Sequence, residues 1–556
     1  MGHIDKITSS STAEYFSKNL QQVGFSSHTK AVLTVVKESV DNSLDACEEA
    51  GILPDITVII EKLGPGTLAG SDQIRIRVED NGPGINPDDI TKVFGEYLSS
   101  SKFGRGRCSR GQQGIGISAA TTWAQLTNAT GVNVITKRKE SNKAIKCTVE
   151  VDIKNNKGVI KGKESITWTR PHGTTVEFII DGRIQANGEL GLINYLTGTA
   201  LVNPHMSLNY KIFGFEQKVL MRVSTEVPVI PEAVEPHPHT LKLGEFIAHS
   251  YIYGKLKVDQ WLKKGFSRIN DATLKDISKN GGKGILDKQV DSMNDVDMKS
   301  LFKAIQETKL LAPLTKSVMS VGEEAFSKTM KRLGSVNFFS IVSRNPCVCD
   351  FKPVLVEVAI ARVSDGGAED SPAQVLRFAN RVPLQFDKSS CAIVKAIESV
   401  NWKAYGLNQP KNSLPIGPYI IAVSVVSPFI KFKNASKETI DASDELVEEI
   451  RKALIQTGQR LSKHIKHEAK ALELEKKLRH IEQFCPILLN GLCDITKASK
   501  TRRTKAETGL SAILGRDAKS TMLELDQAEL NLQKAKDKGT VQNQDTKDLQ
   551  DLIDLI

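Results

Sequence analysis

Glu38 and Asn42 lie four residues apart in VLTVVKESVDNSLDACEEAG, residues 32–51. On a helix that spacing points both side chains the same way. A carboxylate beside a carboxamide can hold a water and a metal ion, because the first accepts a proton and the second offers a hard oxygen. Asn42 is also a poor helix former placed in the middle of a helical pattern. A second stretch is DNGPG, residues 80–84, where two glycines flank a proline. Such a turn is tight and leaves backbone open on one side. Asp80, an acceptor only, suits a hydrogen bond from the exocyclic amine of a base. A third is SSSKFGRGRCSRGQQGIGIS, residues 99–118, in which five glycines alternate with Lys102, Arg105, Arg107 and Arg110. Glycines let backbone amides approach a phosphate, and a helix opening near Ile117 would add favourable partial charge. This loop has no GK[ST] ending and does not follow a strand as a dinucleotide fingerprint would. Singly, each stretch has a plainer reading: a solvated acidic face, a surface turn, a flexible linker.

The elements that would carry these residues follow from periodicity. Val32, Leu33, Val36, Val40, Leu44 and Cys47 recur at three- and four-residue steps and predict one amphipathic helix. Glu38, Asp41, Asn42, Asp45 and Glu49 fall opposite; Asp41 and Glu49 read as solvent-facing, and Asp45 as a neighbour of the site without a fixed partner. DITVIIEKL and QIRIRVE, residues 55–63 and 73–79, read as strands, the second ending at Asp80. Strand-like runs recur at 132–137, 144–153, 158–160 and 174–180, the last opened by His172-Gly173-Thr174. These predict an α/β sandwich with helices over one face of a mixed sheet. Past Pro231, Pro236 and Pro238 come short helical pieces at 241–250, 256–264, 270–279 and 298–307, rich in lysine. That basic character suits a phosphate backbone and a solvated surface alike. From Val336 strands return, with a helix at 392–399 and a strand at 419–426, giving a second α/β domain. A loop with Lys431 and Lys433 then leads to a long charged helix, which Pro486 is expected to interrupt. A basic linker at 496–505 and a polar tail ending in the stripe Leu549, Leu552, Ile553 and Ile556 complete the chain.

At 556 residues the chain is too long for one core. With 40% hydrophobic and 25% charged residues it has the composition of an ordinary globular protein. No apolar run approaches the roughly 20 residues that span a bilayer, and residues 1–11 do not read as a signal peptide. Eight cysteines without CxxC spacing are expected to be free thiols in a reducing compartment. The net charge of +10 permits an anionic partner such as nucleic acid.

The order ExxxN on a helix, DxGxG after a strand, a GxxGxG loop and a Gly-Thr strand start resembles the Bergerat-type ATP site. Gyrases, the ninety-kilodalton heat-shock chaperones, histidine kinases and mismatch-repair clamps share that site as the GHKL superfamily. Further stretches narrow the resemblance to the B subunits of type IIB DNA topoisomerases. KESVDNSLDACEEAGILP (37–54) resembles their first motif. GFSR (265–268) resembles their helix–two-turn–helix domain, and VGEE (321–324) the lead into their transducer. VEVAI (356–360), RFANRVPL (377–384) and NWKAYG (401–406) resemble the transducer itself. The resemblance covers most of the chain.

It implies an α/β multidomain protein: a GHKL sandwich with an N-terminal strap (1–228), a helical insert (229–316), a transducer with a long C-terminal helix (317–470) and a helical, basic tail (471–556). It implies Glu38 as general base, Asn42 as magnesium ligand, Asp80 as the reader of the adenine amine and Thr174 as a base-side contact. Gly82 and Gly84 would keep the turn clear of the base, and Ser101 and Lys102 would lie near phosphate or ribose. Gly111, Gln112, Gln113, Gly114, Ile115, Gly116 and Ile117 would form a lid over the phosphates. A transducer lysine would reach the γ-phosphate. Lys431 fits best and Lys433 is a live alternative, with Lys437 a lesser one, because SPFIKFK (427–433) departs from the family's Ser-Thr-Lys followed by proline. The implied cofactors are ATP and Mg2+. The implied partners are an A subunit carrying the cleaving tyrosine, in an A2B2 assembly, double-stranded DNA, and a second copy of the ATPase chain on ATP binding; no membrane is implied. The implied setting is cytoplasmic, nucleoid-associated and archaeal. Two other functions compete. A GHKL clamp of the mismatch-repair or chaperone type leaves RFANRVPL unexplained. A DNA-binding assembly protein with little ATP turnover has no need of the Glu38–Asn42 pair.

Overall fold

A computed structural model describes residues 10–99, 106–111, 114–188, 190–334, 336–364, 370–434 and 436–514. Ser101, Lys102, Gln112, Gln113 and the apolar stripe of the tail lie outside the described residues. The chain forms two units, which part between Gly458 and Gln459.

The first unit opens with α1 (Thr12–Lys18) and α2 (His28–Glu49). Ser27 caps α2: its side-chain oxygen accepts the Lys30 N–H at 3.2 Å, satisfying one of the free amides of the first turn. Val32, Val36, Val40 and Leu44 are fully buried along one side, each worth about 1.5–3 kcal/mol of hydrophobic stabilisation. β1 (Asp55–Pro65) and β2 (Asp72–Asp80) follow, then α3 (Ile90–Gly95) and α4 (Gly116–Asn128). β3 (Val132–Lys137), β4 (Ala144–Asp152), β5 (Lys157–Ile166) and β6 (Gly173–Gly182) come next. α5 (Leu192–Val202), β7 (Ser207–Ile212) and β8 (Lys218–Leu220) close the sheet. The eight strands run in the order β5-β4-β3-β6-β2-β1-β7-β8. Only the β1–β7 pair is parallel. α2 packs against β2 and β6, and α4 against β6 and β4. The two-residue period of β2 buries Ile74, Ile76 and Val78, and carries Asp80 to that same face.

β5 is longer than the three residues expected, and α5, β7 and β8 were not anticipated. LINYLTGTALV is largely apolar and mostly buried, so it offers no amphipathic signal to read.

The insert holds α6 (Leu243–Ser250), α7 (Val258–Gly265), α8 (Asp271–Ile277) and α9 (Asp295–Glu307). They close on a core of their own around Phe246, Trp261, Phe266, Leu301 and Ile305. α10 (Glu323–Met330) leads into the second sheet: β9 (Val336–Ser343), β10 (Cys347–Cys349), β11 (Lys352–Val363), β12 (Gln374–Ala379) and β13 (Val382–Pro383). α11 (Ala392–Ser399) and β14 (Tyr419–Val426) complete it. Its order is β10-β11-β14-β12-β13, with β9 also on β11.

α12 (Asp444–Ile495) spans 52 residues and is followed by α13 (Lys500–Leu514). Pro486 lies inside α12 instead of ending it; a proline deletes one backbone bond and need only bend a helix whose other bonds remain. The basic stretch expected as a linker is helical from Lys500 onward. Among the described residues no helix is long and apolar enough to cross a membrane.

Candidate functional site

A cavity of about 290 Å³ opens beside the middle of α2. Glu38, Asn42, Ala46 and Glu49 line it at steps of three and four residues, so one stripe of the helix faces it. Asp80 lines it from the end of β2 and is buried. Asp80 Oδ1 accepts the Gly82 N–H at 2.8 Å and the Thr174 N–H at 3.1 Å, and Oδ2 accepts the Ser43 hydroxyl at 2.8 Å. Burial raises its pKa, against those hydrogen bonds. The β2–β6 register sets Thr174 directly opposite Asp80, and the Thr174 and Thr136 hydroxyls are 3.0 Å apart. Gly84 (φ +75°) lines the cavity, and a Cβ there would stand 2.3 Å from Lys137 O, so only glycine fits. Gly82 shapes the turn without lining the cavity; His172 contacts its carbonyl through Nδ1 at 2.8 Å.

The glycine loop reaches the same space. Gly111, Gly114, Ile115, Gly116 and Ile117 all line it, with Gly116 opening α4. The N-terminus of this 13-residue helix therefore faces the cavity, offering unpaired amides and favourable charge for a phosphate. A Cβ on Gly116 would fall 1.9 Å from Glu38 Oε2, so the helix start is packed directly under that carboxylate.

The second domain also contributes. Pro383, Gln385 and Phe386 line the cavity, and Ser436, Lys437 and Glu438 enter it from the loop after β14. Of the three candidate lysines, Lys437 is the one that lines the cavity. Lys431 and Lys433 are exposed and do not line the cavity. Phe432 and Ile440 bridge, and Lys433 N–H donates to Thr439 O at 3.0 Å, so both lysines sit at the neck of a hairpin-like loop. Lys437 (φ +54°) is at its tip. Lys437 Nζ donates to Arg110 O at 2.5 Å, and burial lowers its pKa. Lys37 donates to Ser436 O at 3.2 Å, and Lys30 pairs with Glu438 at 3.1 Å, tying the loop to α2.

The acidic side of α2 is not a solvent face. Asp41, Asp45 and Glu48 form a second stripe, all three buried. Glu49, by contrast, is exposed. Asp41 Oδ1 accepts the Tyr195 hydroxyl at 3.2 Å. Asp45 pairs with Arg110 at 2.8 Å and accepts the Gly111 N–H at 3.1 Å. Glu48, not singled out from the sequence, takes Arg110 at 2.7 and 3.0 Å, Arg381 at 2.6 and 3.1 Å, and His205 at 2.8 Å. Burial alone would raise the Glu48 pKa; the two guanidiniums overcome it and hold the carboxyl well below the usual range. The signal that could have found Glu48 is its spacing, seven residues after Asp41 and three after Asp45.

Burial pushes the Asp41 carboxyl up to about 7; Lys37 opposes the rise and Glu38 adds to it. Its folded pKa thus lies above its unfolded value of about 3.9. The folded protein binds the extra proton between the two, so this group's contribution to stability falls as pH rises from about 4 to about 7. Asp41→Asn keeps the acceptor for Tyr195 and removes the titration. Its urea midpoint, relative to the parent, is expected to rise between pH 4 and pH 8; an equal difference at both pH values contradicts the assignment.

A helix bearing Glu38 and Asn42, an Asp80 turn behind it and a glycine loop running into a helix N-terminus together define a GHKL-type ATPase domain. The family described as histidine kinase-, DNA gyrase B- and HSP90-like ATPase matches residues 28–183, and the topoisomerase VI B subunit transducer family matches residues 313–477. The B subunit of type 2 DNA topoisomerase 6 from Archaeoglobus fulgidus is 36% identical over 485 residues, covering 87% of this chain and 79% of that one. Its counterpart from Methanococcoides burtonii is 36% identical over 488 residues, covering 87% and 76%. That from Pyrococcus furiosus is 30% identical over 533 residues, covering 87% and 91%. The chain belongs to the family of type 2 DNA topoisomerase 6 B subunits.

Proposed function

We propose that this chain binds and hydrolyses ATP to drive a type IIB DNA topoisomerase. The observation that carries the reading is one cavity lined both by Glu38 and Asn42 of the ATPase domain and by Lys437 of the second domain. Glu38 would orient the attacking water and take its proton. Asp80, with its Oδ2 edge engaged only by Ser43 among the hydrogen bonds described, would accept the adenine amine. The Gly111–Gly114 backbone and the α4 N-terminus would cradle phosphate oxygens. Lys437 would meet the γ-phosphate. Asn42, one helical turn from Glu38 and facing the cavity, fits a magnesium ligand, and the metal when bound would neutralise phosphate charge. Catalysis is then positioning and charge stabilisation. Because the lysine comes from the second domain, loss of the γ-phosphate removes a contact that spans both domains, a local change able to move a domain. ATP binding would close two such chains, and hydrolysis would reopen them. An A subunit would cut one duplex so that another passes, in an A2B2 assembly that relaxes and decatenates DNA.

The test is ATP-dependent relaxation of supercoiled DNA by this chain co-purified with an A-type subunit. A wild-type complex that hydrolyses no ATP and relaxes no DNA overturns the reading; turnover that needs neither partner nor DNA favours a clamp instead. Lys437→Ala is expected to lower kcat/KM for ATP by about 10- to 100-fold, the worth of one hydrogen bond to a charged group. Lys431→Ala and Lys433→Ala should leave it unchanged. A loss confined to Lys431→Ala would restore the lysine favoured by the sequence.

A further inference from the structure

We propose that Glu48 is a positioning residue that couples the nucleotide lid to the second domain through one shared carboxylate. The proposal rests on the function just set out. Each Glu48 oxygen accepts from both guanidiniums: Oε1 from Arg110 at 2.7 Å and Arg381 at 3.1 Å, Oε2 from Arg381 at 2.6 Å and Arg110 at 3.0 Å. Arg110 stands at the foot of the glycine loop, next to the cavity-lining Gly111. Arg381 lies in the turn between β12 and β13, with φ +63°, a backbone state a non-glycine residue keeps only when its surroundings hold it.

The two arms meet again on the far side. Asn380 N–H donates to Val425 O at 3.0 Å, and Asn380 Oδ1 accepts the Ser427 N–H at 2.9 Å, fixing the Arg381 turn to the end of β14. The loop from that strand end carries Lys437, whose ammonium returns to the Arg110 carbonyl at 2.5 Å. Asn203 braces the middle, accepting from Arg110 at 2.5 Å and donating to Arg381 O at 3.1 Å. Glu48, Arg110, Lys437, the β14 end, Asn380 and Arg381 are thus joined in a circuit, closed by contacts except between the β14 end and Lys437, where the chain itself makes the link. A lysine that shifts with the nucleotide gives up its bond to the Arg110 carbonyl, and a lid that shifts at Arg110 must carry Arg381 along or break a buried ion pair. Glu48, Arg110 and Arg381 are all buried, and a packed, charged cluster has few intermediate arrangements, which is what a coupling element requires.

Arg381 does not line the nucleotide cavity, so the two arms can be separated by experiment. Arg381→Met keeps length and volume and removes both bonds to Glu48. The fold has a means of tolerating it: His205 already touches Glu48, and Arg381 adds to the burial that holds the His205 pKa down. Arg381→Lys keeps the charge without the two-pronged fit and serves if the methionine variant does not fold. In the complex with the A-type subunit, on supercoiled plasmid, ATP consumed and links relaxed are measured together. Arg381→Met is expected to keep ATPase kcat and KM in the absence of DNA, and to raise ATP used per link removed by about fivefold or more. Arg381→Lys should fall between it and the parent. A purely stabilising role would lower both activities together, so an unchanged ratio overturns the proposal, whatever the melting temperature does. A parent complex that relaxes no DNA would instead overturn the function on which it rests.

Discussion

Glu38→Ala is expected to lower ATP turnover by about 10²- to 10⁴-fold, the range general bases contribute, while nucleotide still binds. The asymmetry follows from geometry. In the proposed reading, binding would rest on several separate groups that line the cavity: Asp80, Thr174, Gly111, Gly114, the start of α4 and Lys437. Of the side chains lining the middle of α2, only Glu38 is a carboxylate set one turn from Asn42. Glu49 lines the rim but is exposed, two further turns along. Asp41 is buried against Tyr195 and does not line the cavity. Glu438 also lines the cavity but is paired with Lys30 at 3.1 Å, and Asp80 is engaged by Gly82, Thr174 and Ser43, so among the described residues neither is as ready to replace Glu38. Steady-state hydrolysis and direct nucleotide binding check this, with Glu38→Gln as the isosteric companion. Normal turnover in either variant would remove Glu38 from the chemistry.

The sequence displayed the cavity-facing stripe of α2 because a 3.6-residue period separates Glu38 and Asn42 from Val36, Val40 and Leu44. It displayed Asp80 because β2 alternates cleanly up to the turn. What it could not display were pairings made by the folded chain over long separations. Glu48 and Arg381 are 333 residues apart, and nothing local to either marks the other. Arg110 read as one of several basic residues in a glycine loop; only folding distinguishes it, by burying it between two carboxylates. The position of Lys437 beside the cavity is hidden from the sequence for a related reason. Proximity to the strand end favoured Lys431, but the Phe432–Ile440 bridge turns the loop into a hairpin and places its tip, not its root, in the cavity. Asp41 reads as solvent-facing because helix surfaces opposite an apolar stripe are usually wet; here the Tyr195 hydroxyl of α5 meets it, while Arg110 gives Asp45 the partner its position beside the site left open and shares Glu48 with Arg381.

Gly116→Ala probes the same carboxylate from the start of α4, which packs against it. The added methyl would stand 1.9 Å from Glu38 Oε2 and 2.2 Å from its Cδ, well inside van der Waals contact. The relief is local, since the obstructing atoms, Cγ at 2.6 Å included, all belong to one flexible side chain: Glu38 turns away and α4 stays. Alanine is also the better helix former, and no positive φ is recorded at Gly116 to penalise it. Folding should therefore survive while the carboxylate leaves its place. A misplacement of about 1 Å costs on the order of 10²-fold in rate, so turnover is expected to fall by about that factor. Combining Gly116→Ala with Glu38→Ala is the decisive comparison. If the glycine acts only by leaving room for the carboxylate, the double variant should turn over no more slowly than Glu38→Ala alone, because contacting residues are not additive. A further full 10²-fold loss in the double variant would instead mean that the methyl obstructs phosphate at the helix N-terminus, and that Gly116 serves binding independently of the base.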